Sequence, residues 1–209
     1  MFYDAIRNDH GLAVDPFKAI VVPRPVGWIS TVSADGINNL APYSFFNAFA
    51  DAPNYVAFGS GGRKDSLANI EATGVFAVNL ATFELREAMN ASSASVAQHV
   101  DEFPLAGLTP VTCRLIRCAR VGESPAVLEC RHFQTVDLPD DEGRVQDYLV
   151  IGRVVGVHID DRYIIDGRVQ TGAMKPIARL GYAEYTTVDN VWRMRRPDSF
   201  RLAQSRGLM

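Results

Sequence analysis

Residues 60–66, Ser-Gly-Gly-Arg-Lys-Asp-Ser, combine the residue types that hold phosphate groups in proteins. The two glycines allow close backbone approach, Arg63 and Lys64 supply positive charge, and the last serine supplies a hydroxyl. The segment leads into a predicted helix, whose free N–H groups and positive dipole end favour an anion. These residues predict a phosphate site, although a solvated loop before an ordinary helix cap explains them equally well.

Small polar side chains lie among aromatic ones between residues 23 and 49. Such a mixture suits a flat aromatic ligand, because apolar side chains cover its ring while hydroxyl, amide and backbone groups bind its edge. The polar residues include Ser30, Thr31 and Asn47, and the aromatic residues include Trp28. A plain β-hairpin with aromatic packing gives the same pattern, so both interpretations stay open at this point.

Motifs for other kinds of chemistry are absent from the sequence. Neither GxxxxGK[ST] nor a GxGxxG fingerprint after a strand occurs, so no ATP or Rossmann-type dinucleotide site is predicted. HExxH, GxSxG and a paired Cys–His arrangement are also missing, which argues against a metal and a covalent nucleophile. His132 and His158 lie in strand-like runs and are interpreted as surface or satisfied sheet residues. We therefore assign no catalytic residue and expect no metal.

The elements that would position the candidate residues are mainly strands. Residues 26–34 are dense in β-branched and aromatic residues, Asp35-Gly36 is a turn signal, and a second extended run is broken at Pro42. The chain beyond residue 160 is polar, and we expect it to be irregular. Further strands are predicted over 55–60, 75–81, 111–121, 126–138 and 145–159, with bends or bulges at Gly152 and Gly156.

Short helices are predicted between these strands. The first follows the phosphate-like segment, with Asp65 or Ser66 as its N-cap and Gly74 as its end. A second begins after a cap at Thr82, and a third, very short helix is expected near residues 96–99. The pattern indicates a mainly β protein with helical additions.

Composition and charge exclude several classes of function. A net charge of −3 gives no electrostatic case for a nucleic-acid partner. No apolar run approaches the roughly 20 residues of a membrane span, and the charged N-terminus does not read as a signal peptide. The three cysteines lack a CxxC pattern. We expect one cytoplasmic domain over residues 1–209, reduced and without a linker.

Three blocks of the sequence resemble the flavin reductase-like, FMN-binding split-barrel family, which includes flavoredoxin-like proteins. The blocks are PRPVGWIST at 23–31, NLAPYSFFNAF at 39–49 and GRKDSLANI at 62–70. Shorter similarities follow at 87–93, 101–110, 128–130 and 151–159. The resemblance implies a Greek-key split β-barrel of the FMN-binding type. It also implies a homodimer with flavin sites near the subunit interface.

The resemblance also implies which residues bind the cofactor, with FMN expected rather than FAD. The GRKDS segment resembles the one that holds the FMN phosphate, and two other segments resemble those that supply the ring contacts. Trp28 could cover the ring or pack in the core, and both alternatives stay open. Asn47 needs a partner if it is buried between its aromatic neighbours. The implied cofactor-binding residues are Trp28, Ser30, Thr31, Ser44, Phe45, Phe46, Asn47, Ala48, Ser60, Arg63, Lys64, Asp65, Ser66 and Asn90.

Two positions depart from the pattern of the family. Flavin reductases that serve two-component monooxygenases often carry Asp-His in the late strand block, where this chain has Asp147-Tyr148. Many flavoredoxin-like relatives carry His before the Asp/Asn-Pro pair of the first block, where this chain has Val14. Neither change touches flavin binding, but both bear on the docking of NADH or NADPH.

Three hypotheses of function follow. The first is an FMN-dependent oxidoreductase that takes a hydride from NAD(P)H at flavin N5 and passes electrons to a partner protein, a free flavin or oxygen. The second is a flavoredoxin-like electron carrier without its own nicotinamide site. The third is a ligand-binding barrel that has lost flavin chemistry.

Overall fold

Strands dominate the computed structural model, which describes residues 1–197. They are β1 Arg24–Pro25, β2 Gly27–Val32, β3 Asn38–Tyr43, β4 Phe46–Asp51, β5 Asn54–Gly61, β6 Val75–Leu80, β7 Pro110–Thr112, β8 Ala119–Val121, β9 Ala126–Pro139, β10 Val145–Ile159, β11 Ile164–Ile165, β12 Arg168–Val169, β13 Ile177–Arg179 and β14 Tyr185–Thr187. The helices are α1 Phe17–Ile20, α2 Asp65–Thr73, α3 Arg86–Ala91 and α4 Glu102–Leu105, with 3-10 turns at Asp161–Tyr163 and Thr171–Met174. The predicted mainly β class with short helices is confirmed.

A seven-stranded antiparallel sheet in the order β3-β2-β6-β9-β10-β5-β4 forms the body of the fold. Its two edges approach each other. The ring of Tyr43 on the edge strand β3 lies 4.6 Å, centroid to centroid, from the ring of Phe58 on β5, the strand next to the other edge. The two edge strands, β3 and β4, follow each other directly in the chain and are joined only by Ser44 and Phe45. The N–H of Gly59 donates to the carbonyl of Phe45 at 2.7 Å, which extends the β4–β5 pairing into this connection. The sheet therefore curls into the predicted Greek-key split barrel, and its split runs along residues 43–46.

The β2–β3 hairpin follows the predicted pattern, with Gly27 opposite Tyr43 and Val32 opposite Asn38. The predicted break at Pro42 is wrong, because this residue lies inside β3, opposite Trp28. An edge strand tolerates proline, since the missing N–H would face away from the sheet. Gly27 is required for packing, as a Cβ there would lie 2.6 Å from the Phe46 ring.

The long β9–β10 hairpin is bent where the sequence predicts bulges. The register shifts between Ile151 and Gly152 and again between Val154 and Gly156. A Cβ at Gly152 would lie 2.2 Å from the Phe76 ring, so a glycine lets the core pack against this strand. The predicted bends at both glycines are confirmed.

Helix α2 begins one residue earlier than predicted. Its N-cap is Lys64, which makes no side-chain capping bond, so the predicted N-cap at Asp65 or Ser66 is wrong. Gly74 ends the helix in the left-handed conformation, with φ of 74°, as predicted.

The later helices differ more from the prediction. Helix α3 has Leu85 as its N-cap rather than Thr82. Residues 96–99 are not helical. Helix α4 follows them instead, and the carboxylate of Asp101 caps it by accepting from the N–H of Phe103 at 2.8 Å.

Residues 111–121 were predicted as a single strand, and this prediction is wrong. They form most of the β7–β8 hairpin, whose turn is held by the carboxylate of Glu129 on β9. This carboxylate accepts from the N–H groups of Arg114 at 2.7 Å and Leu115 at 2.6 Å. The chain beyond residue 160 is also more ordered than expected, because β13 and β14 form a sheet with β1.

The core consists of three neighbouring clusters of buried side chains. One fills the barrel with Phe58, Phe76 and Val150, and a second surrounds Trp28 and Phe103. Full burial of one such side chain contributes about 1.5–3 kcal/mol. The third cluster holds two cysteines, and burial raises the pKa of the Cys113 and Cys118 thiols to about 12. Cys130 is also buried, as predicted, and these thiols behave as small apolar groups. None of the helices within residues 1–197 has the length and apolarity to span a membrane.

Candidate functional site

Two cavities meet at Ser44, Phe45 and Gly59, where the barrel is split. The smaller one, here the polar cavity, has a volume of 430 Å³ and is bounded by the start of α2, the end of β3, Glu102 and residues 92–96. The larger one, here the apolar groove, has a volume of 990 Å³ and extends on the other side of Phe45. Together they form a continuous site with one polar end and one apolar end.

The polar cavity receives the N-terminus of α2. Lys64, Asp65 and Ser66 line it. The first N–H groups of a helix lack partners within the helix, and they carry its positive dipole end. Lys64 is exposed and forms no ion pair with any residue of the described chain. This corner therefore offers several N–H donors and one free ammonium group.

A buried hydrogen-bond network fixes the floor of the polar cavity. The hydroxyl of Ser66 donates to Asn39 Oδ1 at 2.8 Å, and Asn39 Nδ2 donates to Glu102 Oε1 at 3.0 Å. The other carboxylate oxygen of Glu102 accepts from the N–H of Leu40 at 3.0 Å. Asn69 on α2 extends the network, since its Nδ2 donates to Thr31 Oγ1 at 3.1 Å. The network ties α2 to β2, β3 and α4.

The carboxyl group of Glu102 has unusual surroundings, because only 5% of the residue is exposed. Burial raises its pKa above the ordinary value, although the bonds from Leu40 and Asn39 act in the opposite direction. Burial likewise raises the pKa of the neighbouring Tyr43 hydroxyl. The cavity therefore combines a cationic corner at Lys64 with two carboxylates, those of Asp65 and Glu102.

The opposite wall of the polar cavity is residues 92–96. The buried Ser92 anchors this wall, because its hydroxyl accepts from Trp28 Nε1 at 2.9 Å and donates to the Met89 carbonyl at 2.9 Å. Ser93 and Ser95 are exposed. Hydroxyl and backbone groups thus face the N-terminus of α2 across the cavity.

The apolar groove is walled by residues 20–25, by β4 and by residues 138–149. Arg24 holds the first wall in place, although only 7% of this residue is exposed. Its guanidinium donates to the carbonyls of Lys18 and Val21, both at 2.6 Å, and to that of Leu180 at 2.8 Å. The guanidinium carbon also lies 5.8 Å from the Phe45 ring centroid. Burial lowers the pKa of Arg24, and the positive charge of Arg179 adds to this effect.

The structure brings part of the predicted site together. Ser44 and Phe45 lie where the two cavities join. Lys64, Asp65 and Ser66 line the polar cavity, and Phe46 and Asn47 line the apolar groove. Asn47 is exposed rather than buried, and its Oδ1 accepts from the N–H of Ala48 at 2.8 Å.

Trp28, Ser30 and Thr31 line neither cavity and are fully buried. Trp28 packs in the core, and its Nε1 is bonded to Ser92. Ser30 donates to the carbonyl of Ala119 at 2.7 Å, and Thr31 donates to Asn39 Oδ1 at 3.2 Å. Of the two roles considered for Trp28, the structure shows the packing role.

The remaining predicted residues also lie off the lining of both cavities. Arg63 is ion-paired with Glu71 and lies over the ring of Tyr148. Ser60 is buried and donates to the Gly62 carbonyl. Asn90 lines a separate cavity beside α3, and Ala48 is exposed on β4.

Sequence reasoning missed three residues of the site: Asn39, Glu102 and Arg24, whose guanidinium binds the three carbonyls described above. All three lie in blocks that were recognised, PRPVGWIST, NLAPYSFFNAF and DEFPLAGLTP. The signal that could have identified them was a charged or amide side chain in an otherwise apolar block. Such a side chain requires a hydrogen-bond partner when it is buried. No group of His, Cys, Asp and Glu within residues 1–197 is arranged to hold a metal ion.

Comparison with known proteins adds a family and several relatives. The flavin reductase like domain matches residues 19–172. An uncharacterised protein of Aquifex aeolicus is 33% identical over 172 residues, which cover 79% of this chain and 85% of that protein. Nitrilotriacetate monooxygenase component B from Bacillus cereus superposes with a TM-score of 0.80 at 30% identity, covering 85% of this chain and 90% of the other. Flavoredoxin of Desulfovibrio vulgaris shares the fold, with a TM-score of 0.73 at 19% identity over 83% of this chain and 91% of its own.

Proposed function

The chain belongs to the flavin reductase-like family, and from this premise we propose that it is an oxidoreductase that binds FMN across the polar cavity and the apolar groove. The continuity of the two cavities at Ser44, Phe45 and Gly59 carries the proposal. FMN joins an anionic phosphate to a flat, largely apolar ring, and the site offers a matching environment at each end. When bound, the flavin supplies the redox chemistry.

The residues of the polar cavity fit a phosphate monoester. Lys64 supplies an ammonium group that pairs with no carboxylate of the described residues, and the N-terminus of α2 supplies N–H donors. The two carboxylates do not prevent this, because both oxygens of Glu102 accept bonds from Asn39 and Leu40. Asp65 lies in the first turn of α2, where the helix dipole offsets its charge. A single phosphate next to one helix N-terminus favours FMN over FAD.

The residues of the apolar groove would orient the ring. Phe45 and Phe46 offer apolar contact, and the backbone of 44–48 would bind the polar edge of the ring. The volume of 990 Å³ exceeds the space that a flavin ring fills, so a second flat molecule can stack against it. We propose that NADH or NADPH docks there, since hydride transfer needs donor and acceptor atoms about 3–3.5 Å apart.

A specific observation favours a second candidate function, that of an electron carrier without a nicotinamide site. Tyr148 lines the groove, is 9% exposed, and has the Arg63 guanidinium 5.6 Å from its ring centroid. This tyrosine packs in the barrel core and stands where related reductases often carry histidine. In this alternative, electrons arrive from and leave to partner proteins.

We also propose that residues 1–209 form one domain and that two copies form a homodimer. Exposed aromatic side chains support the dimer: Phe49, which lines the groove, is 67% exposed, and Phe133 is 59% exposed. A mass near 23.0 kDa by light scattering at micromolar concentration would contradict the dimer.

One experiment tests the proposed function in two steps. The purified protein is first titrated with FMN and with FAD, and we expect saturable binding of FMN with a visible flavin band. The complex is then mixed anaerobically with NADH or NADPH. Rapid bleaching of the flavin band supports the reductase, whereas binding without bleaching supports the electron carrier. Failure to bind either flavin contradicts both and favours a barrel without flavin chemistry.

A further inference from the structure

We propose that a third cavity, beside the β7–β8 hairpin and the end of β10, binds a small molecule that carries a phosphate-like oxyanion. This arginine cavity has a volume of 530 Å³ and is lined by Arg114, Arg120 and His158 among other residues. It shares no lining residue with the polar cavity or the apolar groove. It is therefore separate from the proposed flavin site.

The two arginines have unused hydrogen-bonding capacity. Neither guanidinium forms an ion pair or a hydrogen bond with the part of the chain that the structure describes, residues 1–197. The Nε atom of Arg120 is buried and has no partner there. Buried polar groups are nearly always bonded, so an unpartnered donor indicates a missing acceptor. A planar guanidinium suits a tetrahedral oxyanion because it donates two parallel N–H groups.

The carboxylates near the cavity are mostly committed to other groups. Glu129 accepts from two backbone N–H groups, and its Oε1 lies 2.5 Å from His158 Nε2. Asp160 lies on the wall and is paired with Arg162, at 2.5 Å between Asp160 Oδ2 and Arg162 Nη2. Asp161 is the other acidic residue of the lining. No carboxylate of residues 1–197, Asp161 included, forms an ion pair with Arg114 or Arg120, so the positive charge of both remains available to a ligand.

The backbone beneath the two arginines of the cavity is held in place by hydrogen bonds and strand pairing. Glu129 fixes the turn that carries Arg114, since it binds the N–H groups of Arg114 and Leu115 at 2.7 and 2.6 Å. Arg120 lies on β8, in register with Val111 of β7. A fixed backbone beneath both cations lowers the cost of ordering them around an anion.

The remaining lining suggests the size of the ligand. Pro125, Val157 and Ile159 give the wall an apolar strip beside the cations. A single phosphate ion fills only a small part of 530 Å³. The cavity thus suits the phosphate group of a larger molecule, such as a nucleoside phosphate, better than a free inorganic ion.

The test is a calorimetric titration at low ionic strength with inorganic phosphate and, separately, with ADP. Each titration is run on FMN-saturated protein, so that the polar cavity is filled, and again on protein without added flavin. Binding should persist in both, with ADP tighter than phosphate. Arg120→Met and Arg114→Met should each weaken binding by about tenfold or more, because each removes a charge-assisted contact. Arg117→Met is the matched control, as Arg117 lies in the same hairpin and is exposed like Arg114, but does not line the cavity.

The outcomes separate this proposal from the flavin site. No saturable binding of either probe, or equal affinity in Arg117→Met and Arg120→Met, overturns the arginine cavity and leaves the FMN proposal unaffected. Binding that disappears when FMN is added also overturns it, because the anion then occupies the polar cavity. Thermal melting of each variant verifies folding, and Arg120→Lys, which keeps the charge, should recover part of the affinity.

Discussion

The amide of Asn39 joins Ser66 at the start of α2 to the buried carboxylate of Glu102, with 3.0 Å between Asn39 Nδ2 and Glu102 Oε1. This contact connects the proposed phosphate end of the site to α4, through two residues that lie 63 positions apart in the sequence. The position of Ser66 therefore depends on a buried carboxylate that the cofactor-binding residues expected from the sequence did not include.

Replacing this carboxylate with an amide should destabilise the protein at neutral pH. In Glu102→Gln one acceptor becomes a donor facing the N–H of Leu40 or the amide of Asn39, and leaving a buried donor unpaired costs about 1–3 kcal/mol. Urea unfolding at pH 7 measures the loss. Glu142→Gln, on an exposed turn, is the control and should change the unfolding free energy by less than about 0.5 kcal/mol.

The same substitution should change the pH dependence of stability. Burial raises the folded pKa of Glu102 above its ordinary value of 4.5, so the folded state holds this proton more tightly than the unfolded chain does. The stabilisation that protonated Glu102 contributes is complete below its pKa in the unfolded chain. It is lost as pH rises through its pKa in the folded protein. The unfolding free energy of the wild type should therefore fall over that pH range relative to that of Glu102→Gln. Parallel curves of unfolding free energy against pH would contradict the raised pKa of Glu102.

Glu129 should show the opposite pH dependence. Burial alone would raise its pKa, but the bonds from the Arg114 N–H, His158 and the Leu115 N–H outweigh it and lower the pKa below 4.5. The stabilisation that ionised Glu129 contributes is present above its pKa in the unfolded chain. It is lost as pH falls through its pKa in the folded protein. Acid unfolding of Glu129→Gln should thus be flatter below pH about 4.5 than that of the wild type. An equally steep acid transition in both proteins would exclude this role.

The two cations of the GRKDS segment should contribute unequally to FMN affinity. Lys64 lines the polar cavity, whereas Arg63 is bound to Glu71. Lys64→Ala should weaken FMN by about one to two decades, the value of a charge-assisted bond to a partly shielded phosphate. Arg63→Ala is the matched control and should have a much smaller effect. If the dissociation constant moves only in the Arg63 variant, the phosphate binds outside the polar cavity.

Arg24 should be essential for the first wall of the apolar groove. Arg24→Met leaves the carbonyls of Lys18, Val21 and Leu180 without their donor, and we expect a loss of at least about 2 kcal/mol in unfolding free energy. Limited proteolysis should also cleave the variant faster before residue 24. Lys18→Met, in which only an exposed side chain changes, provides the comparison. Equal cleavage of both variants would show that the wall holds without Arg24.

Local patterns predicted the parts of the fold that local chemistry determines. The β2–β3 hairpin follows from β-branched residues around an Asp-Gly turn, and Gly74 ends α2 because a left-handed residue is needed there. The hairpin within 111–121 was missed because its turn is held by Glu129, which is distant in sequence. No window of neighbouring residues contains that information.

The site was harder to predict, because the face on which a side chain lies depends on what covers the sheet. Ser30 and Thr31 are adjacent in β2 and point to opposite faces, yet both are fully buried. Ser30 faces the carbonyl of Ala119 on β8, and Thr31 faces Asn69 on α2. Covering elements that come later in the chain thus removed both residues from the lining of the cavities.

The pairing of β5 with β10 has a consequence for the order of events during synthesis. These strands are neighbours in the sheet, but residues 62–144 lie between them in the chain. Tyr148 and residues 144–149 of the groove reach the ribosome exit long after Phe45 and Lys64. Contacts so far apart in sequence close slowly, so the nascent chain must hold its N-terminal strands open until β10 emerges. The apolar groove is complete only after β10 has been synthesised, so full FMN binding, as proposed here, would report that the barrel has closed.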